Sequence, residues 1–305
     1  MPFTRRILLL LLAVGFPACS PSPEPLRPKV LLVGIDGVRP DVLAEVPTPH
    51  FDALVAEGAY TGQARTGSPT VSGPGWSSML TGVWPGKHGV RSNDFTGNRY
   101  ERYPDFLTRV EEVRPEMRTV VLADWLPLVT EDSGGPLVGD APDVKHVLDG
   151  YEVGWGVADS LLTAMAVDEL RSGDPDALFL YLGNPDETSH HHGSIGPEYR
   201  DAIAEADRRL GEVVASVRSR PGHASEDWLI LVSTDHGRRP DGGHGGDSEE
   251  EAVIFFLASG PSAARGDLAG EVRIVDVATT ALAHLGLALN PSWELDGRPV
   301  GLRSR

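Results

Sequence analysis

The sequence predicts an α/β fold with a mostly parallel central sheet flanked by helices, and three observations carry that expectation. Short apolar runs without polar–apolar alternation recur along the chain, as in strands covered on both faces. Helical patterns fill much of the space between them, and glycine- and proline-rich stretches stand where strands hand over to loops. With 305 residues and 40% apolar content the chain can bury one large core, so a single domain over residues 29–305 is expected.

Arg5 and Arg6 precede the apolar run Ile7 to Val14, which is too short to span a bilayer as a mature helix but has the length of a secretory h-region. Residues 1–19 are therefore expected to be a signal peptide. The only cysteine, Cys19, follows Ala18 at the end of the run, where a bacterial lipoprotein signal places its lipidated residue. Phe16 and Pro17 are unusual there, and ordinary cleavage near Ala18 is the alternative. Residues 20–28 contain Pro21, Pro23, Pro25 and Pro28 and read as an extended tether. This leader implies export to the periplasm or cell envelope, with membrane attachment only through a lipid anchor at Cys19. One cysteine excludes a disulfide within the chain.

Strands are expected at 29–35, 119–122, 177–182, 228–233 and 252–257, and helices at 50–57, 75–81, 103–113, 157–172, 197–218 and 275–285. Residues 94–156 are less regular, with scattered prolines, glycines and aromatics, and form either a small cap over the site or ordinary loop and peripheral helix. A formal net charge of −17 argues against a nucleic-acid-binding module. It leaves room for a small phosphorylated substrate, because bound dications reverse the field inside a cleft. Nothing in the composition fixes an oligomeric state.

Chemistry-bearing residues fall at predicted strand ends, where open α/β sheets bind ligands. Asp36 follows the first run and precedes Gly37, which suits a metal ligand or simply a turn. Ser72 lies ahead of Pro74 and a predicted helix start, beside amides that favour an anion, and Thr70 is the competing hydroxyl. A lone serine there also reads as a helix cap. Asp186 and His190 have the spacing of four that puts both on one helix face, while His191 and His192 blur the register. Asp235 and His236 end another buried run, and His244 is flanked by four glycines. Asp241 and Asp247 read as solvated loop charges. Asn93 could donate to a phosphoryl oxygen as charge builds on it. Trp76 either packs or flanks a substrate. Three carboxylates, three histidines and one hydroxyl suit two divalent ions and in-line displacement at phosphorus.

These motifs resemble the alkaline phosphatase superfamily, and most closely its type I phosphodiesterase/nucleotide pyrophosphatase branch, over residues 29 to about 300. The stretch from Pro69-Thr70 through Leu80-Thr81-Gly82 to Pro85 and His88-Gly89-Val90 follows the family segment without a gap. The resemblance implies a three-layer sandwich and a binuclear site, with zinc the favoured metal. It places Asp36, Ser72, Asp235 and His236 on one ion and Asp186, His190 and His244 on the other. It makes Ser72 rather than Thr70 the nucleophile of a phosphoserine intermediate, with Asn93 contacting the phosphoryl group. Two residues depart from the pattern: serine stands where that branch commonly has threonine, and Gly75 where asparagine commonly follows the proline. The implied activity is hydrolysis of phosphate diesters or nucleotide pyrophosphates. A phosphomonoesterase and a sulfatase-like hydrolase are the enzymatic alternatives, although Ser72-Gly73-Pro74-Gly75-Trp76 lacks the arginine of the sulfatase motif. An inactive ligand-binding lipoprotein is the alternative from another class.

Overall fold

The computed structural model describes residue 1 and residues 25–303. Residues 2–19 of the expected signal peptide, Cys19 among them, and residues 20–24 of the tether lie outside the described residues. Among the described residues eight strands form one sheet: β1 (Arg27–Ile35), β2 (Ala59–Arg65), β3 (Thr119–Ala123), β4 (Val144–Val147), β5 (Ala177–Leu182), β6 (Glu226–Ser233), β7 (Val253–Ser259) and β8 (Gly266–Asp267). Their spatial order is β4-β3-β5-β1-β6-β7-β2-β8. The strands from β4 to β6 are parallel neighbours, whereas β7 runs antiparallel to both β6 and β2.

The unalternating runs are explained by helices on both faces. Alternate residues of the central strands enter two separate cores. Val30, Leu32, Phe179, Leu229 and Leu231 pack on one side with Trp76, Leu80, Leu107 and Leu282. Leu31, Val33, Leu180, Ile230 and Val232 pack on the other with Leu54, Leu162, Ile203 and Leu210. Each such aliphatic side chain contributes about 1.5–3 kcal/mol by leaving water. The first face carries the helices Ser72–Thr81, Phe106–Val113 and Asp276–His284, and the second carries Pro49–Glu57, Trp155–Asp168 and Pro197–Arg218.

β2 and β4 escaped the sequence reading because they are short and mostly half-exposed, with no clean period. The expected 157–172 helix instead ends at Asp168 and passes into a π-helical turn over Glu169–Gly173. Residues 94–156 supply β3 and β4 to the sheet as well as the loop between them. Among the described residues no helix is long and apolar enough to cross a membrane.

The registers bring three strand ends level. Ile35 pairs with Leu182 and Gly34 with Ser233, and the Asp36 amide donates to the Leu182 carbonyl at 3.0 Å. Asp36, Asn184–Asp186 and Asp235–His236 therefore leave the sheet along one edge. Gly34 sits beneath the Trp76 indole, and a Cβ there would lie 2.4 Å from the ring, so this glycine admits the tryptophan to the sheet.

Candidate active site

Asp36 is fixed by two buried donors. Trp76 Nε1 and Tyr181 Oη both donate to its Oδ2, at 2.9 and 2.7 Å. Its other oxygen, Oδ1, is buried without a partner, as is Oδ2 of Asp235. Both face His236 Nε2, at 3.6 and 3.3 Å, and Asp186 Oδ1 stands 3.8 Å from the same nitrogen. Nδ1–H of His236 donates to the Gly237 carbonyl at 3.0 Å, which leaves the Nε2 lone pair pointing into the cluster. Ser72 Oγ lies 3.2 Å from that nitrogen.

Electrostatics reinforce this picture. Burial, then repulsion from Asp235 and Asp186, pushes the Asp36 carboxyl well above its ordinary range. Burial and the Asp186 charge push Asp235 up to about 7. Asp186 is also buried, yet the Arg238 guanidinium and the neighbouring histidines hold it well below the usual carboxylate range. Burial drives His236 well below its ordinary value, so its imidazole is neutral. Crowded carboxylates with orphaned oxygens around a neutral imidazole have the charge and donor set of a divalent-cation site.

The second cluster stands beside the first. The helix Asn184–His192 begins directly after β5, so Asp186 and His190 lie one turn apart, with His190 Nε2 3.1 Å from Asp186 Oδ2. His244 Nε2 lies 3.2 Å from His190 Nε2, and its Nδ1–H donates to the Thr70 carbonyl at 2.9 Å. The His244 ring stacks on His236 at 4.1 Å. Asp186, His190 and His244 can hold one cation, and Asp36, Asp186 and His236 form a second possible group. Asp186 thus faces both positions, whereas the family resemblance assigns it to one.

Ser72 is the first residue of its helix, not the cap. Val71 is the N-cap, with no side-chain capping bond. The expected nest of free amides is smaller than the sequence suggested: Gly73 N–H donates to Asn93 Oδ1 at 2.8 Å, Pro74 has no N–H, and Gly75 N–H bonds to the Val71 carbonyl. A Cβ on Gly73 would stand 2.2 Å from the Ser92 carbonyl, so the Asn93 loop can close on the helix only over glycine. Because its carboxamide oxygen is taken, Asn93 keeps its NH2 group for a ligand.

The structure brings all eight sequence-selected residues together: Asp36, Ser72, Asn93, Asp186, His190, Asp235, His236 and His244. The side chains of those set aside lie apart from this chemistry. Thr70 Oγ1 donates to the Gly246 carbonyl and accepts from Gly245 N–H, so it ties down the glycine-rich loop. His191 pairs with Glu187, His192 and Asp247 are exposed, and exposed Asp241 accepts from Gly243 N–H. Four contributors were not anticipated. Tyr181 is one more apolar position in a buried strand, and Trp76 reads as packing or as flanking a substrate, not as a donor to Asp36. Asp159 accepts from the amides of Gly183 and Asn184 and so anchors the turn before Asp186. Arg238 is fully buried, and its Nη2 contacts Asp186 Oδ1 and His190 Nε2. Its position directly after Asp235-His236-Gly237 was the available signal.

A cavity of about 60 Å3 opens over Ser72, Asp36 and His244 and is walled by Trp125, Tyr151 and Trp155. It adjoins a cavity of about 370 Å3 that shares Asn93, Trp125 and Tyr151 and reaches Asp132 and Asp149.

The profile of the type I phosphodiesterase / nucleotide pyrophosphatase family matches residues 30–138 and 140–240. The chain is 28% identical over 233 residues to human ectonucleotide pyrophosphatase/phosphodiesterase family member 5, covering 71% of this chain and 46% of that protein. It is 26% identical over 242 residues to a bis(5'-adenosyl)-triphosphatase of Bos taurus, covering 76% and 52%. The chain therefore spans about half the length of these curated relatives. Among solved structures, murine ectonucleotide pyrophosphatase / phosphodiesterase 5, in an inactive form in complex with AMP, superposes with a TM-score of 0.67 at 17% identity, over 87% of this chain and 96% of that one. A 2-O GAG sulfatase superposes with a TM-score of 0.70 at 15% identity, over 90% and 73%. These superpositions show the alkaline phosphatase-like fold. With the profile match covering most of the described residues, the chain belongs to the type I phosphodiesterase / nucleotide pyrophosphatase family.

Proposed function

We propose that the chain is a metal-dependent hydrolase of phosphate diesters or nucleotide pyrophosphates that acts through a covalent intermediate on Ser72. The observation that carries this reading is the Ser72 hydroxyl 3.2 Å from His236 Nε2, beside the unpartnered oxygens of Asp36 and Asp235. Asp36, Ser72, Asp235 and His236 would hold one divalent ion and Asp186, His190 and His244 the other, with zinc favoured by the mixed imidazole and carboxylate donors. Bound ions would lower the pKa of the serine hydroxyl and neutralise charge on the phosphoryl oxygens.

The remaining work falls to the chain. Ser72 Oγ forms a bond to phosphorus while the bond to the leaving oxygen breaks, giving a serine phosphoester that keeps the substrate's other substituent. The Asn93 NH2 group donates to a non-bridging oxygen as its charge rises. Water then displaces serine, and the two inversions give retention at phosphorus. Trp76 and Tyr181 keep Asp36 from turning away during both steps. The aromatic walls Trp125 and Tyr151 would receive the organic part of a small phosphorylated substrate, and AMP, held by the murine relative, is of suitable size for the adjoining cavity. The leader read from the sequence would place this activity in the cell envelope, tethered through Cys19.

A substrate panel tests the reading. A nitrophenyl phosphate diester and a nucleotide pyrophosphate should be cleaved with higher kcat/KM than a phosphate monoester or a sulfate ester. Preference for the sulfate ester, or no turnover of any phosphate, would defeat it. Asn93→Ala should lower kcat about 100-fold with a smaller change in KM, because its donor bond strengthens as charge develops. Steady-state kinetics on the preferred diester checks this.

A further inference from the structure

Arg238 is a fully buried cation inside a cluster that must itself accept cations. Its Nη1 donates to the Gly242 carbonyl and its Nη2 to Asp186 Oδ1, while Nε is buried without a partner. The same Nη2 lies 3.1 Å from His190 Nε2. That nitrogen also faces Asp186 Oδ2 at 3.1 Å and His244 Nε2 at 3.2 Å, so it is the atom His190 offers to a metal.

A donor that supports a metal ligand ordinarily binds the side of it that faces away from the ion and orients it, which strengthens metal binding. Here the donor meets the near side. A guanidinium has only N–H donors and does not deprotonate in proteins, so toward His190 it competes for the lone pair that a metal requires. It also places a permanent positive charge against the incoming dication. We propose that Arg238 is a built-in counter-ion that competes with the second divalent ion for Asp186 and His190, so that the Asp186–His190–His244 position fills more weakly than the position at Asp36, Asp235 and His236. At the first position Asp36 Oδ1 and Asp235 Oδ2 have no hydrogen-bond partner, and Arg238 touches that group only through Asp186, which faces both positions.

This inference rests on the metal-dependent reading above, and direct measurement of zinc binding to the chelator-stripped protein separates the two. The full chain is titrated with Zn2+ against a competing indicator, and bound metal is counted by elemental analysis. Wild type should bind two ions in classes separated by about tenfold or more, and His190→Ala should remove the weaker class alone. Arg238→Met should tighten the weaker class about tenfold and leave the tighter class within about threefold. Its metal-free form should melt earlier than wild type, since Asp186 loses its counter-ion and Gly242 its donor. Arg238→Lys keeps a charge on a shorter reach and should fall between, and with His190→Ala it decides the matter if the methionine variant does not fold. Unchanged or weakened second-ion binding in Arg238→Met, or loss of the tighter class in His190→Ala, would overturn the role of Arg238 while leaving the metal site standing. Absence of stoichiometric zinc in wild type would overturn both.

Discussion

Ser72→Ala should lower turnover of a phosphate diester by about 10⁴-fold or more, because among the described residues no other serine or threonine lines the cavity over the cluster. Thr70 is two residues away, but its Oγ1 is engaged with the Gly245–Gly246 backbone, and its carbonyl carries His244. The loss should appear in kcat with substrate binding largely retained, and the melting temperature should stay near wild type. Ser72 makes no capping bond, so its removal does not unravel the helix. Single-turnover kinetics on the purified variant checks the effect. A kcat within tenfold of wild type would exclude Ser72 as the nucleophile.

Asp36→Asn should separate function from stability. The substitution keeps the shape of the carboxylate and an oxygen for Trp76 and Tyr181, but removes its charge. Bound metal should fall by about one ion per chain and kcat by about 10³-fold. The metal-free variant should nevertheless melt about 2 °C or more above metal-free wild type near neutral pH. The sign follows from the raised carboxyl in the folded protein, caused by burial and by the charges of Asp235 and Asp186. A raised folded-state value contributes stability below the unfolded value, near 4, and that contribution is lost as pH rises through the folded one. The stabilising effect of asparagine should therefore shrink as pH falls toward that of the unfolded carboxyl. Thermal melts of the stripped proteins across pH measure it, and a variant that melts earlier than wild type near neutrality would contradict the account.

The parts of the molecule legible in the sequence are those whose physics is local. β1, β5 and β6 are continuous apolar runs because helices cover both their faces, and the residues after them are polar because the sheet ends there. That rule alone located Asp36, Asp186, Asp235 and His236. The resemblance then separated Ser72 from Thr70 and added Asn93, a choice that local patterning left open. The supporting shell was not legible, since its bonds join residues far apart in the chain. Tyr181 reaches Asp36 across 145 positions with no local signature of that role, and Arg238 reaches Asp186 across 52 with only its place after Asp235-His236-Gly237 to hint at it. The helix at Ser72 shows the same limit from the other side. Its start was placed near Pro74, but of the amides expected to be free there, Gly73 N–H is taken by a residue twenty positions downstream, Asn93, and Gly75 N–H by the Val71 carbonyl. The edge strands β2 and β4 were lost because half-exposed strands of mixed composition look like loop until a partner strand is known.

The central claim is that Ser72 becomes covalently bonded to phosphorus, and trapping that bond tests it most directly. The metal-loaded protein is mixed with a phosphate diester whose serine phosphoester is hydrolysed slowly, quenched in acid within one turnover, digested and sequenced by mass spectrometry. The account predicts a phosphoryl adduct on the peptide spanning Gly67–Trp76, localised to Ser72, carrying the substrate's retained group and absent from Ser72→Ala. Rapid turnover with no adduct at any quench time, or an adduct on Thr70 or a histidine in place of Ser72, would contradict it.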